Sequence, residues 1–238
     1  MACRMLVAIG HFPLSAILDG FLSMARNENE EHEYRRHPDH VHGDGWGVVT
    51  GRSRRVTRYR STSECWVDPA FARLYGTEMD LIMLHARRAS PGIAVRYELT
   101  HPFEQDGWHF CHNGRVYDFE VGERSDSQQL LTLILGNVKR ENNVTEAIRR
   151  TVGSLKDYSA LNFMLLGETH VYVLNLHGRR GHKTPGYYTM KYLQANEHTV
   201  ISSERLVGFN DEWQEMNSGT LLTLSLPNRK IDIRELAI

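Results

Sequence analysis

The sequence is poor in cysteine, has no excess of either charge and contains no long apolar run. Its three cysteines, Cys3, Cys65 and Cys111, are odd in number and widely spaced, so they supply neither a disulfide framework nor a CxxC metal pair. A reduced, cytoplasmic protein is therefore expected. With 28 basic and 29 acidic residues the net charge is -1, and no global field exists to recruit nucleic acid or a membrane surface. No window approaches the ~18 consecutive apolar residues of a membrane span. "MLVAIG" is too short for the apolar region of a secretory signal, and Asp19 follows soon after it.

What is present suits a folded enzyme-sized domain. Hydrophobic residues make up 41% of the 238, enough to bury a core, and one domain over residues 1–238 is expected. "CRMLVAIG" reads as a short buried strand ending at Gly10. Residues 13–25 place Leu14, Ile17, Leu18, Phe21 and Leu22 at helical spacing, with Pro13 near the first turn. The following "RNENEEHEYRRHPDHVHGDG" has no apolar period and reads as a long surface loop. Strand-like runs are expected at 46–50, 55–60, 81–86 and 108–112, with a short helix at 68–76 capped by Asp68 and opened by Pro69. Two helices (126–138, 143–155) come next, then strands at 161–166, 170–176, 187–194, 198–203, 219–226 and 230–235. "GRRGHKTPG" (178–186) reads as a basic turn. Strands, a helix pair and strands again argue for a layered α+β domain with largely antiparallel sheets, not for alternating βαβ units.

Polar and glycine-bearing stretches recur where strands end: "HGDGWG" (42–47), "HARRASPG" (85–92), "THPF" (100–103), "HNGRV" (112–116) and "SDS" (125–127). Each has a bland reading when taken alone. His37, His40 and His42 with Asp39 and Asp44 suggest a metal site, but no HExxH spacing or cysteine partner supports one, and no metal is expected. Asn-Gly is a common turn, and "ARRAS" alone is a basic strand end. Cys65 and Cys111 lie beside aromatic residues and read as small buried hydrophobes. Together the stretches supply what an amide hydrolase needs. Cys3 is the candidate nucleophile, and Asn113 with the Gly114 N–H is a candidate oxyanion hole. Arg87 can grip a carboxylate with a bidentate fork, and Asp126 can hold an ammonium group.

Cys3-Arg4, "HGDGWGVV", "HARRASPG", "THPF", "HNG", "SDS" and the late "VISSERL" occur in that order. This ordered set resembles the class II glutamine amidotransferases, the N-terminal-nucleophile glutaminase domains, and especially their stand-alone members. The resemblance runs from Cys3 to about Leu206. It implies a four-layer αββα sandwich of two mainly antiparallel sheets between helical layers. It also implies a cysteine thiol that attacks the glutamine side-chain amide, its own free α-amine serving as base. An α-amine titrates near ~8, so a usable neutral fraction exists at physiological pH. A thioester forms, ammonia leaves and water regenerates the thiol. By motif position Arg87 takes the substrate α-carboxylate, Asp126 its α-amino group, and Asn113 and Gly114 the oxyanion. Ser90 and His101 are placed at the substrate, and Asp44, Gly45, Trp46 and Gly47 form a supporting loop. No cofactor is expected.

Arg88, Ser90 and Pro91 stand where synthase-linked members usually carry Trp and Thr-His, which sets the usual coupling to a synthase apart from this chain. A separate ammonia-accepting synthase is the partner expected if the ammonia is used. Otherwise the chain is a plain hydrolase of glutamine or a larger γ-glutamyl conjugate. A catalytically silent glutamyl-binding or regulatory module is the reading from a different class. Ala2 decides between these, because an uncleaved Ala2–Cys3 peptide bond denies the nucleophile its amine.

Overall fold

The computed structural model describes residues 3–29, 32–34, 37, 40–52, 55–90, 92–120, 122–178, 185–209 and 212–236. Met1, Ala2, Asp39, Pro91 and residues 179–184 of the basic turn lie outside them. Two antiparallel sheets stack face to face. The first has the spatial order β11 (Gln214–Glu215), β9 (Lys191–Gln194), β10 (His198–Ser202), β1 (Arg4–Gly10), β4 (Leu81–Ala86), β2 (Trp46–Arg52) and β3 (Arg55–Ser61). The second runs β13 (Ile231–Glu235), β12 (Thr220–Ser225), β8 (His170–Asn175), β7 (Asn162–Leu166), β6 (Trp108–Asn113) and β5 (Phe103–Gln105).

Strand β1 is apolar throughout because both of its faces are covered. Leu6 and Ala8 pack under α1 (Leu14–Ala25), while Met5, Val7 and Ile9 point into the layer between the sheets. Helix α1 turns Ile17, Leu18, Phe21 and Met24 inward, and full burial of a side chain such as Phe21 contributes about 1.5–3 kcal/mol. On the same outer face, α2 (Pro69–Ala72) starts where Asp68 accepts a hydrogen bond from Ala70 N at 2.8 Å.

The second sheet is covered by α3 (Asp126–Glu141) and α4 (Val144–Ser154), which bury Leu130, Leu131, Ile134, Ile148 and Val152 against Phe110, Phe163 and Leu174. Ser125 and Gln128 form a reciprocal capping box that fixes the start of α3. Asn142, in the left-handed conformation at φ 51°, stops it. The result is helix, sheet, sheet, helix: the expected αββα sandwich.

Three details differ from the sequence expectation. Pro185–Tyr188 forms a short helix, α5, so the strand expected over 187–194 begins only at Lys191. The short strands β5 and β11 carry too few residues to show a period. The long polar stretch after α1 is not uniformly solvated: Asn27 and His42 are buried, and Tyr34 and His40 stack with ring centroids 4.0 Å apart. Its burial runs through polar and aromatic pairs, which leave no apolar pattern in the sequence.

Candidate active site

Antiparallel pairing of β1 with β4 sets Arg4 opposite Ala86, which brings Cys3 beside Arg87. From the second sheet, β6 delivers Asn113 to the same place: the Cys3 N–H donates to Asn113 Oδ1 at 2.6 Å. That bond occupies the amide oxygen of Asn113 and leaves its NH2 group for another acceptor. Cys3 Sγ lies 3.8 Å from the Arg88 carbonyl. A cavity of about 360 Å3 opens here, lined among others by Cys3, Arg87, Ser90, His101, Gly114 and Asp126. Asn113 sits just behind its wall and is buried.

Glycine is required at two of these positions. Gly114 has φ 138°, and a Cβ there would collide with the Ala160 carbonyl oxygen. A Cβ on Gly47 would strike the carbonyl of His101. The close approach at Gly47 locks "GDGWG" onto "THPF", and the same loop is laced to the arginine segment. Arg87 N donates to Gly45 O (2.8 Å), Asp44 N to Arg87 O (3.0 Å), and Ala89 N to Asp44 Oδ2 (2.8 Å). Trp46 is wholly buried on the outer face of the first sheet, its Nε1 donating to Asp68 Oδ2 at 3.0 Å. Asp44, Gly45, Trp46 and Gly47 thus brace the site from outside the cavity.

Arg87 is buried, and its guanidinium already donates to the carbonyls of Asp44 (3.4 Å) and Ala94 (3.2 Å). Both bonds go to neutral carbonyl acceptors, and the Asp44 carboxylate acts on the guanidinium through its charge alone. Asp126, the first residue of α3, accepts from Val116 N at 2.9 Å through Oδ2, with Oδ1 remaining as a second acceptor.

Burial raises the Cys3 thiol pKa, opposed by the Arg88 contact and the charge of Arg87. The resting group is therefore the thiol, and attack requires a base. Cys111 and Cys65 are buried as well; burial pushes Cys111 far up and Cys65 to about 12, so neither supplies a thiolate.

Two features near Cys3 escaped the sequence. Arg4, fully buried, places Nε 2.7 Å from Glu204 Oε1 and its guanidinium 4.2 Å above the Tyr187 ring, while Nη1 donates to Tyr187 O at 3.2 Å. Ser203 closes the same corner: its Oγ accepts from Met5 N at 3.0 Å. These contacts span nearly 200 residues and have no local signature. The second feature is the grouping of three buried histidines, of which the sequence places only His101 at the substrate. His85 and His101 stack at 4.2 Å, and His112 follows next along the cavity wall. Burial holds all three neutral, lowering His85 to about 3. Among the described residues no group of three side chains is arranged to hold a metal ion.

An αββα sandwich with a cysteine entering its first strand, at a cavity bounded by the segments that follow β4 and β6, is the architecture of N-terminal-nucleophile amidotransferase domains. The family model for class-II glutamine amidotransferases matches residues 30–174, more than half of the chain, and the chain belongs to that family. The matched segment contains Arg87, Asn113, Gly114 and Asp126, and begins after Cys3. No protein of curated function matches the sequence.

Solved structures match the fold. The glutamine phosphoribosylpyrophosphate amidotransferase of B. subtilis superposes with a TM-score of 0.67 at 17% identity, over 99% of this chain and 50% of that one. This chain therefore spans half the length of that enzyme. A glutamine aminotransferase class-II domain protein from Silicibacter pomeroyi gives 0.62 at 17% identity, covering 99% and 100% of the two chains. A predicted glutamine amidotransferase from Pseudomonas aeruginosa gives 0.53 at 15%, covering 97% and 95%. No helix among the described residues is long and apolar enough to cross a membrane.

Proposed function

We propose that the chain, as one glutamine amidotransferase domain over 1–238, hydrolyses the side-chain amide of glutamine or of a γ-glutamyl amide through a Cys3 thioester. The observation that carries this reading is the meeting of Cys3 N with Asn113 Oδ1 at 2.6 Å, at a cavity that Arg87, Gly114 and Asp126 also line. Once Met1 and Ala2 are removed, the Cys3 nitrogen becomes an amine held at Asn113 Oδ1, one bond from the carbon chain that bears the thiol. It takes the thiol proton as sulfur attacks the amide carbon. The C–S bond forms and the carbonyl becomes an oxyanion, which accepts hydrogen bonds from Asn113 Nδ2 and Gly114 N. The α-ammonium then protonates the leaving nitrogen, the C–N bond breaks and ammonia or an amine departs. Water, deprotonated by the same amine, cleaves the thioester and restores the thiol.

Arg87 pairs with the substrate carboxylate and Asp126 with its ammonium, so neither charge of the amino-acid end is left desolvated and unpaired. Ser90 and His101 complete the wall. Where the ammonia is used, a separate synthase takes it up. The discriminating experiment is a turnover screen of glutamine and γ-glutamyl amides with larger amines, using chain whose first residue is Cys3. Release of glutamate from at least one compound is the expected result. Binding of all of them without release would favour the silent glutamyl-binding module.

A further inference from the structure

His112 stands beside the candidate oxyanion donors but has no part in the chemistry above. It is 2% exposed and lies at the end of β6, with its side chain directed away from the inter-sheet layer and toward α3. Its Nε2 is 3.3 Å from the Ala160 carbonyl oxygen and its Nδ1 2.8 Å from Ser127 Oγ. A carbonyl only accepts, so Nε2 carries the proton. Nδ1 then offers a lone pair, and the Ser127 hydroxyl must be the donor. Both partners matter for the site. The Ala160 oxygen is the one that closes on Gly114. Ser127 is the second residue of α3, directly after Asp126.

Two bonds therefore straddle Asn113 and Gly114. On one side His112 is tied to Ser127; on the other, Val116 N is tied to the Asp126 carboxylate at 2.9 Å. Residues 112 and 116 of one segment meet residues 127 and 126 of the other, a closed clamp around the oxyanion donors. We propose that His112, as the neutral Nε2–H tautomer, is a positioning residue: it fixes Asn113 and Gly114 against Asp126, and so sets the distance between the reacting carbonyl and the substrate ammonium. The inference rests on the reading of the cavity as a γ-glutamyl amidase site. Reacting groups displaced by about 1 Å lose on the order of 100-fold in rate, so a bond that holds two ends of one substrate in register acts on kcat.

The test compares two substrates on Ser127→Ala: γ-glutamyl-p-nitroanilide, and glutaryl-p-nitroanilide, which keeps the carboxylate and lacks the α-amino group. The substitution removes the donor to His112 and leaves the Ser125 cap of α3 in place. Expected is a loss of about 10- to 100-fold in kcat for the γ-glutamyl compound with KM little changed, and less than about threefold for the glutaryl compound, which Asp126 does not anchor. Equal losses on both compounds, or no loss on the first, overturn the proposal, because a merely structural role cannot tell an ammonium from a hydrogen. A second measurement needs no variant. The 15N shifts of the His112 ring in the unsubstituted chain should report a protonated Nε2 and an accepting Nδ1; the opposite tautomer overturns the proposal even if Ser127→Ala does not fold. Failure of the unsubstituted, Cys3-initiated chain to turn over either compound would instead count against the amidase reading, with the ring shifts still reporting on the clamp.

Discussion

At the far end of β1 the layer between the sheets is aliphatic: Ile9, Leu81, Leu166, Val171 and Leu224 meet there with no polar atom among their side chains, and Ile9, Leu81 and Leu166 also line a second cavity. At the near end, below Cys3, the same layer holds Cys111 and His85, with His101 stacked on His85 and Asn113 reaching across to the Cys3 nitrogen. The His85 ring lies near the His112 carbonyl without a well-aligned hydrogen bond, and neither nitrogen of His101 makes one among the described residues. Each buried polar group left in that state costs about 1–3 kcal/mol. The far end is aliphatic and cohesive, whereas the near end, beside the proposed nucleophile, gives up stability to unpaired polar groups.

Substitutions at the two ends should therefore separate activity from stability. The largest effect is expected at Cys3: Cys3→Ala should lower turnover more than about 10,000-fold while leaving the melting temperature close to that of the parent. Cys111→Ala, one layer below, should keep turnover and lower only stability. The converse holds at the far end. Leu224→Ala should destabilise by about 2–5 kcal/mol, read from denaturant melts, with kcat unchanged at a temperature where the protein is folded. A large kcat loss in Leu224→Ala would erase the distinction between the ends. Asn113→Ala comes next, with about 100-fold lower kcat and a modest change in KM.

A pH dependence is expected as well. His85, held down to about 3 in the folded chain, takes up its proton near 6.5 when unfolded. The unfolded state thus binds more protons as pH falls below about 6.5, and folding stability should drop by about 1.4 kcal/mol per pH unit for each such histidine until the folded pKa is reached. His101 and His112, lowered by the same burial, add to the slope in the same direction. His85→Phe should flatten the acid limb of a stability–pH curve; an unaltered slope would show that this ring is not the buried neutral group described.

Elements whose signals are local were legible in the sequence. Asp68-Pro69 marked a helix start that the Asp68 carboxylate does cap, and Leu130, Leu131, Ile134 and Leu135 gave α3 its buried face. The ordered glycine motifs pointed to the cavity because Gly47 and Gly114 stand at backbone contacts no other residue admits. What escaped depends on partners far along the chain. Tyr187 and Tyr188 read as strand by β-propensity, yet they close a helical turn whose ring lies under the Arg4 guanidinium. Arg4 and Glu204 carry no spacing that joins them. His32 and His42 lay in a stretch read as solvated, although His42 is buried between Ala25 O and the Tyr187 hydroxyl.

The proposed chemistry depends most on the state of the Cys3 nitrogen. Intact mass and γ-glutamyl amide turnover recorded on the same sample, for the full chain and for one beginning Met-Cys-Arg, address it directly. Turnover should track the fraction of molecules whose mass places Cys3 first, and should be nearly absent where Ala2 is retained. Full turnover in a sample whose mass still includes Ala2 would contradict the free-amine mechanism for this protein.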